Sequence, residues 1–189
     1  MSRNVLYAVA ASLLAIVAGA AHAQTWPTKP ITLVVTYPAG GGADTMARLI
    51  APKLGEALGQ PVIIENKPGA SGQIGASAVA KAAPDGYTLM LDASSFAVNP
   101  ALFPRLPYDS DKAFRPVGVI ALFPNVLLVN QSVPAASVKE LVALAKAKKN
   151  GVSYASSGNG SAQHLAGAMF ESAAGVDMLH VPYKGGAPA

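Results

Sequence analysis

Two glycine-rich turns stand where a strand-like run gives way to a helix-like one. Tyr37-Pro38-Ala39-Gly40-Gly41-Gly42 follows the β-branched run at residues 31–35, and Ser157-Gly158-Asn159-Gly160-Ser161 follows a shorter run at 152–155. A turn of this kind points unpaired backbone N–H groups at one spot, and the helix behind it adds about half a positive charge there. The chemistry on offer is anion binding without a cationic side chain. A single glycine triplet is as readily a plain tight turn; its recurrence, with Tyr183, Gly185 and Gly186 after a strand-like run at 178–183 as a third instance, favours a site. On this reading Gly41 takes a positive φ that a β-branched residue refuses.

Other residues near these turns carry two readings each. Asp44 either caps the helix that opens there, its carboxylate turned from the ligand, or meets an amine on the ligand. Arg48, one helical turn on, is placed for an i, i+4 surface bridge to Asp44. Ser94 and Ser95 follow a strand-like run at 87–91, at the edge where ligands of open α/β sheets collect, and serve equally well as a helix cap. Ser161 offers a hydroxyl donor to an anion.

Rival chemistries fail on the letters. Walker A needs Gly-Lys-Ser/Thr, and Gly42 is followed by Ala43-Asp44. The dinucleotide fingerprint comes closer, with Gly40 and Gly42 correctly spaced and Glu65 where a ribose-binding acid would sit, but its third glycine is Thr45. A nucleotide-dependent enzyme is therefore the alternative reading. No Gly-x-Ser-x-Gly elbow and no His-Glu-x-x-His motif occurs, so no catalytic residue and no metal ligand is assigned. His164, in a helix opening, and His180, in a strand, read as hydrogen-bonded structural residues.

The elements that must hold these turns alternate along the chain. Strand-like runs at 31–35, 61–65 and 87–91 enclose helical patterns at about 46–58 and 73–82, and β-α-β-α-β order implies a parallel sheet covered by helices. Four prolines break residues 100–116 into loop. Residues 116–121 and 125–129 read as two strands split at Pro124, 137–149 as a charged helix, and 152–155, a helix through Leu165 and Phe170, and 178–183 as a second α/β unit. The boundaries expected are a leader at 1–23, a first lobe at 24–122 and a second lobe at 123–189 whose sheet is incomplete.

Composition narrows the classes further. The charge of +4 is spread over a chain only 13% charged, which is no footprint for nucleic acid. Arg3, an uncharged apolar run at 5–18 and Ala21-His22-Ala23 form an export leader with cleavage before Gln24. The absence of cysteine excludes both a disulfide framework and an acyl anchor, so a soluble exported protein is expected.

Several ordered motifs resemble one family. They are Tyr-Pro-Ala-Gly-Gly-Gly-Ala-Asp-Thr-Met-Ala-Arg at 37–48, Val-Ile-Ile-Glu-Asn-Lys-Pro-Gly-Ala at 62–70, Gly-x-Ile-Gly at 72–75, Pro-Asp-Gly-Tyr-Thr-Leu at 84–89, Leu-Pro-Tyr-Asp at 106–109, Ser-Gly-Asn-Gly-Ser at 157–161 and His-Val-Pro-Tyr-Lys-Gly at 180–185. Together they resemble the extracytoplasmic solute receptors of tripartite tricarboxylate transporters, the Bug family. The resemblance implies a periplasmic-binding-protein-like, Venus-flytrap fold of type II, with a small carboxylate held between loops of both lobes. It implies no cofactor and no enzymatic step, and, as partners, the integral membrane permease subunits of the transporter. A sensory role toward a membrane kinase would look the same in sequence. Family members run well past position 189, so the chain reads as a C-terminally truncated member.

Overall fold

The computed structural model describes residues 26–189, and the expected leader lies outside the described residues. The chain order is β1 (Ile31–Val35), α1 (Gly42–Leu58), β2 (Val62–Asn66), a 3-10 turn at Ala70–Gly72, α2 (Gln73–Ala80), β3 (Thr88–Leu91), α3 (Ser94–Leu102), α4 (Val138–Ala147), β4 (Ser153–Ser156), α5 (Ala162–Ala174) and β5 (Leu179–Pro182). These form two parallel α/β units.

The first unit is a sheet of order β2-β1-β3, all parallel. β1 lies between two neighbours and under helices, so its Ile-Thr-Leu-Val-Val run is apolar almost throughout; Ile31, Leu33, Val34 and Val35 are all buried. Leu33, Val35 and Leu91 pack on Ala47 of α1, with Ile50 and Ile64 around them. The alanines at 47 and 51 let α1 lie close to the sheet. Because the chain steps from β1 to β2 on one side and returns past β1 to β3 on the other, the sheet has a topological switch between the carboxyl ends of β1 and β3. Open α/β sheets bind ligands at such a crevice.

The second unit pairs β4 with β5 in parallel, joined through α5. Ser161 caps α5 by accepting the His164 N–H, and Gly175 ends it at φ +61. α4 is capped by Ser137, which accepts the Glu140 N–H, while Glu140 accepts the Ala136 N–H in return.

Two expectations need correction. The strands read at 116–121 and 125–129 do not form, because no strand among the described residues pairs with them. They run irregular and open, with Val117, Leu122 and Leu128 more than four-fifths exposed. β-branched residues favour extended backbone, but a strand exists only against a partner. The proline-broken segment, read as loop from residue 100, begins instead with the last turn of α3, which carries Pro100 inside it. Beyond it Tyr108 and Phe114 pack ring on ring with Phe96 of α3 and hold the loop to that helix.

Gly75 sets how closely α2 meets the sheet: a Cβ there would lie 2.8 Å from the Lys67 carbonyl oxygen and 3.0 Å from Thr36 Cγ2. Since the first neighbour is backbone, Gly75→Ala is expected to destabilise the fold by about 1–3 kcal/mol. Denaturant unfolding checks this, with a lowered midpoint at unchanged slope as the expected result.

Candidate ligand-binding cleft

The carboxyl ends of β1 and β3 and the opening of α5 face one cleft of about 700 Å³. Of the predicted site residues, Tyr37, Pro38, Ala39, Gly41 and Gly42 line it from the first turn and Ser94 from the start of α3. Ser157, Ser161, Gly185 and Gly186 line it from the second unit. Gly40, Asp44, Ser95, Gly158, Asn159, Gly160 and Tyr183 are not on its wall. The two rims touch: a Cβ on Gly185 would lie 3.2 Å from the Pro38 ring.

The first rim is fastened from behind. Asp44, buried at 2% exposure, accepts hydrogen bonds from the Gly40 N–H (2.8 Å), Arg48 Nε (2.9 Å) and Asn66 Nδ2 (3.0 Å). Asn66 at the end of β2 also donates to the Tyr37 carbonyl at 3.1 Å. The expected helix cap is thereby corrected: Gly41 is the N-cap residue with no side-chain cap, and the Asp44 carboxylate reaches back to staple the turn. The Arg48 bridge exists, but it is half-buried, since its acid is enclosed. The Arg48 hydrogen bond first, then those of Gly40 and Asn66, hold the Asp44 carboxyl down to about 2. The positive φ also moves by one residue. Gly40 sits at +81°, whereas Gly41 is extended at −82°.

The second rim is fastened by side chains of its own unit. Gly158 (φ +132) donates its N–H to Ser156 Oγ at 3.1 Å, and Gly160 (φ +75) donates to His164 Nδ1 at 3.1 Å. The Ser161 N–H goes to the Gly158 carbonyl and the Gly185 N–H to that of Ser157. The amides of Gly40, Gly41, Gly158 and Gly160 are therefore committed to holding the turns. The first-turn amides of the helices behind them are a different matter: Gly42 and Ala43 of α1, Ser94 of α3, and Ala162 and Gln163 of α5 have no intrahelical carbonyl to meet, and all five residues line the cleft. Three helix N-termini thus open on one space.

Side chains that the sequence reading did not assign complete the wall. Asp92, directly after β3, accepts hydrogen bonds from Thr36 Oγ1, from the Phe96 N–H at 2.9 Å and from Ser95 Oγ at 2.8 Å. Ser95 in turn accepts the Tyr37 hydroxyl at 2.9 Å. This chain fixes the Tyr37 ring against the cleft. Burial raises the Asp92 carboxyl, against the pull of those donors, and burial followed by the Asp92 charge raises the Tyr37 phenol. Ser95 is thus a support beneath the site, while Ser94 keeps a buried hydroxyl with no partner among the described residues. Met46, Met90, Lys184 and the irregular segment from Gly118 to Asn125 also line the cleft. Asp92 is within reach of sequence reasoning, as the residue ending a strand at the switch point; the segment at 118–125 is not, since its letters read as the end of one strand and the start of another, split at Pro124.

A profile of the tripartite tricarboxylate transporter family receptor matches residues 46–189. The chain is 38% identical over 187 residues to a protein of the tcbD-tcbE intergenic region of Pseudomonas sp. (strain P51), covering 99% of this chain and 56% of that one. Among solved structures it matches an R. palustris protein with adipate at TM-score 0.82 and 42% identity, covering 86% of this chain and 55% of the other. It matches MatC from Rhodopseudomonas palustris with bound malate at TM-score 0.79 and 35% identity, covering 86% and 56%. The fold is the α/β, Venus-flytrap-class fold that these periplasmic binding-protein structures share. The chain belongs to the tripartite tricarboxylate transporter receptor family, and it spans about half the length of the curated relatives it matches. The nucleotide-enzyme alternative falls with that finding. Its ribose-binding candidate Glu65 is paired with Lys67 at 2.7 Å.

Because the folded Asp44 carboxyl titrates near 2 against an ordinary 3.8, it adds stability above about pH 4 that is lost as the pH falls toward 2. Asp44→Asn is expected to lower the denaturation midpoint at neutral pH and to flatten the stability profile across that acid window. Unfolding curves between pH 2 and pH 7, for both proteins, check the sign.

Proposed function

We propose that the whole protein is an extracytoplasmic receptor that captures a small carboxylate in this cleft and delivers it to the integral membrane permease subunits of a tripartite transporter. On this reading residues 1–23 are a cleaved leader, the product is soluble in the periplasm without a lipid anchor, and residues 24–122 and 123–189 belong to the two lobes. Among the described residues no helix is long and apolar enough to cross a membrane. The observation that carries the reading is the convergence of three helix N-termini on one cleft. Adipate and malate, present in two similar solved structures, are dicarboxylates of a size such a cleft accepts.

The energetics are adequate. A micromolar dissociation constant requires about 8 kcal/mol. Hydrogen bonds to a charged group contribute about 1.5–3 kcal/mol each, so four to six donors suffice after ordering costs. The donors proposed are the first-turn amides of Gly42, Ala43, Ser94, Ala162 and Gln163, with the hydroxyls of Ser94 and Ser161. Gly40, Gly158 and Gly160 shape the turns that present them, and Lys184 adds a positive charge at the rim. Ligand choice beyond the carboxylate falls to Tyr37, Met46, Met90 and the 118–125 segment.

Calorimetry of the full-length protein against mono-, di- and tricarboxylates and amino acids tests the reading, and binding of none of them overturns it. One substitution isolates the backbone. Ser161 has φ −70° and ψ 160°, a conformation that accepts a following proline, so Ala162→Pro deletes one N–H at the helix start without disturbing α5. It is expected to weaken carboxylate binding by about ten- to a hundredfold, the worth of one charge-assisted bond. Gly40→Val is expected to abolish binding through its left-handed φ. Arg48→Ala is expected to cost less, since Arg48 lines a separate shallow groove with Pro52 and Val62.

A further inference from the structure

Beneath the second rim two imidazoles lie face to face, 4.0 Å between ring centroids and 10° from parallel. His164 comes from the first turn of α5 and His180 from β5. Each is tied to one glycine of the rim. His164 Nδ1 accepts the Gly160 N–H, and His180 Nε2 lies 2.7 Å from Ser156 Oγ, which in turn bonds both the N–H and the carbonyl of Gly158. Tyr154 of β4 stacks beside His180 at 5.0 Å, and Gly167 leaves the space that its ring fills under α5. The turn is therefore anchored at both positive-φ glycines through one ring stack.

Neutrality is built into this anchor. An imidazole accepts a hydrogen bond at Nδ1 only while that nitrogen carries no proton; once protonated, it presents N–H to N–H and the bond to Gly160 is lost. Two imidazolium rings at this spacing would also repel each other. Among the described residues Glu171 on α5 is the acid that acts on His180, and its Oε1 already accepts the Met178 N–H at 2.6 Å. β4 contributes the Tyr154 hydroxyl and Ser156. α3 contributes only neutral Val98, Asn99 and Leu102 beside Gly160. Lys184, on the adjoining turn, lines the cleft. Burial first and His164 second lower the His180 imidazole below its ordinary value, with Glu171 opposing them.

We propose that the stacked His164–His180 pair is a proton-sensitive positioning element for the second rim: neutral, it holds the turn at 157–161 in the shape that aims the α5 amides into the cleft, and protonated, it releases that turn and the carboxylate with it. The sign follows from the bonding: His164 Nδ1 accepts the Gly160 N–H only while it carries no proton, and the depressed His180 disfavours charge in the same stack. Whatever stability the neutral stack supplies is present above about pH 6.5 and is lost as the pH falls through the folded value. A bound carboxylate attracts protons to the pair and so opposes the effect; the broken Gly160 bond outweighs it, because that bond fixes the donors themselves.

The ligand half of this inference rests on the function proposed above, so the test has a ligand-free arm. In the full-length protein, the Gly160 amide and both imidazoles are followed by NMR from about pH 7.5 to about pH 5, a range that brackets ordinary histidine titration. The Gly160 amide is expected to shift with the His164 ring. Adipate and malate titrations by calorimetry over the same range are expected to lose about tenfold or more in affinity, the worth of one anchoring bond. His164→Asn is the decisive variant, since Asn Oδ1 stands near the place of Nδ1 and accepts without titrating: binding at pH 7.5 should persist and its pH dependence should disappear. His164→Ala should weaken binding at every pH. A Gly160 amide indifferent to pH, or a His164→Asn profile that parallels the parent's, overturns the proposal. Binding of none of the mono-, di- and tricarboxylates or amino acids at any pH, with a pH-sensitive Gly160 amide, would instead overturn the receptor reading and leave the proton-sensitive anchor standing.

Discussion

A backbone N–H without an acceptor is the constraint on which this cleft depends. Helix geometry leaves the first-turn amides of every helix unpaired, and a fold must place them in water, against a cap or against a ligand. Here three helices begin at the same space. Had their amides been answered by side-chain caps alone, the cleft would be a packed junction. Instead the glycine turns consume their own N–H groups in holding shape, and the helix starts behind them stay available to a guest.

The two rims reach this state by different chemistry. The first is stapled by a carboxylate, which sounds wrong beside the proposed anion site until its partners are counted: Asp44 accepts from Gly40, Arg48 and Asn66, and its charge is spent behind the turn. The second is held by neutral donors and acceptors, Ser156 and the two histidines. A fixed negative charge compensated by Arg48 keeps the first rim indifferent to pH over the ordinary range. The second rim has no such insurance. Between them Asp92 closes a hydrogen-bonded chain through Ser95 to Tyr37, so the aromatic wall of the cleft is set by a half-buried acid that itself touches Thr36 at the end of the central strand.

The sheet supplies the placement. β1 is central, its neighbours come from chain on either side in sequence, and the reversal of direction between them opens the crevice at its carboxyl end. β1 carries its partners' hydrogen bonds on both edges and its side chains in two apolar layers, so the strand with least freedom is the one that presents Tyr37 and the glycine turn. Gly75 contributes from below by letting α2 close on Thr36 and Lys67.

Sequence alone determined the elements whose signal is local. The apolar run at 31–35, the helical spacing from Met46 to Leu58 and the turn residues at 37–42 and 157–161 each follow from short-range sterics and hydrogen bonding, and each stands where the letters place it. The motif resemblance likewise read out the family, because ordered short motifs survive without knowledge of contacts. Tertiary structure decided what depends on a partner distant in the chain. Residues 116–121 and 125–129 carry strand-forming letters but meet no strand. Asp44 reads as a cap until Asn66, twenty-two positions on, claims its second oxygen. The committed state of the Gly40, Gly158 and Gly160 amides, and with it the shift of the free donors to the helix starts, was invisible in one dimension. The same holds for His164 and His180, sixteen positions apart, which only the packing of α5 on β5 turns into one stack. Local conformation is written residue by residue, whereas the pairing of donors with acceptors is settled only when the chain folds back upon itself.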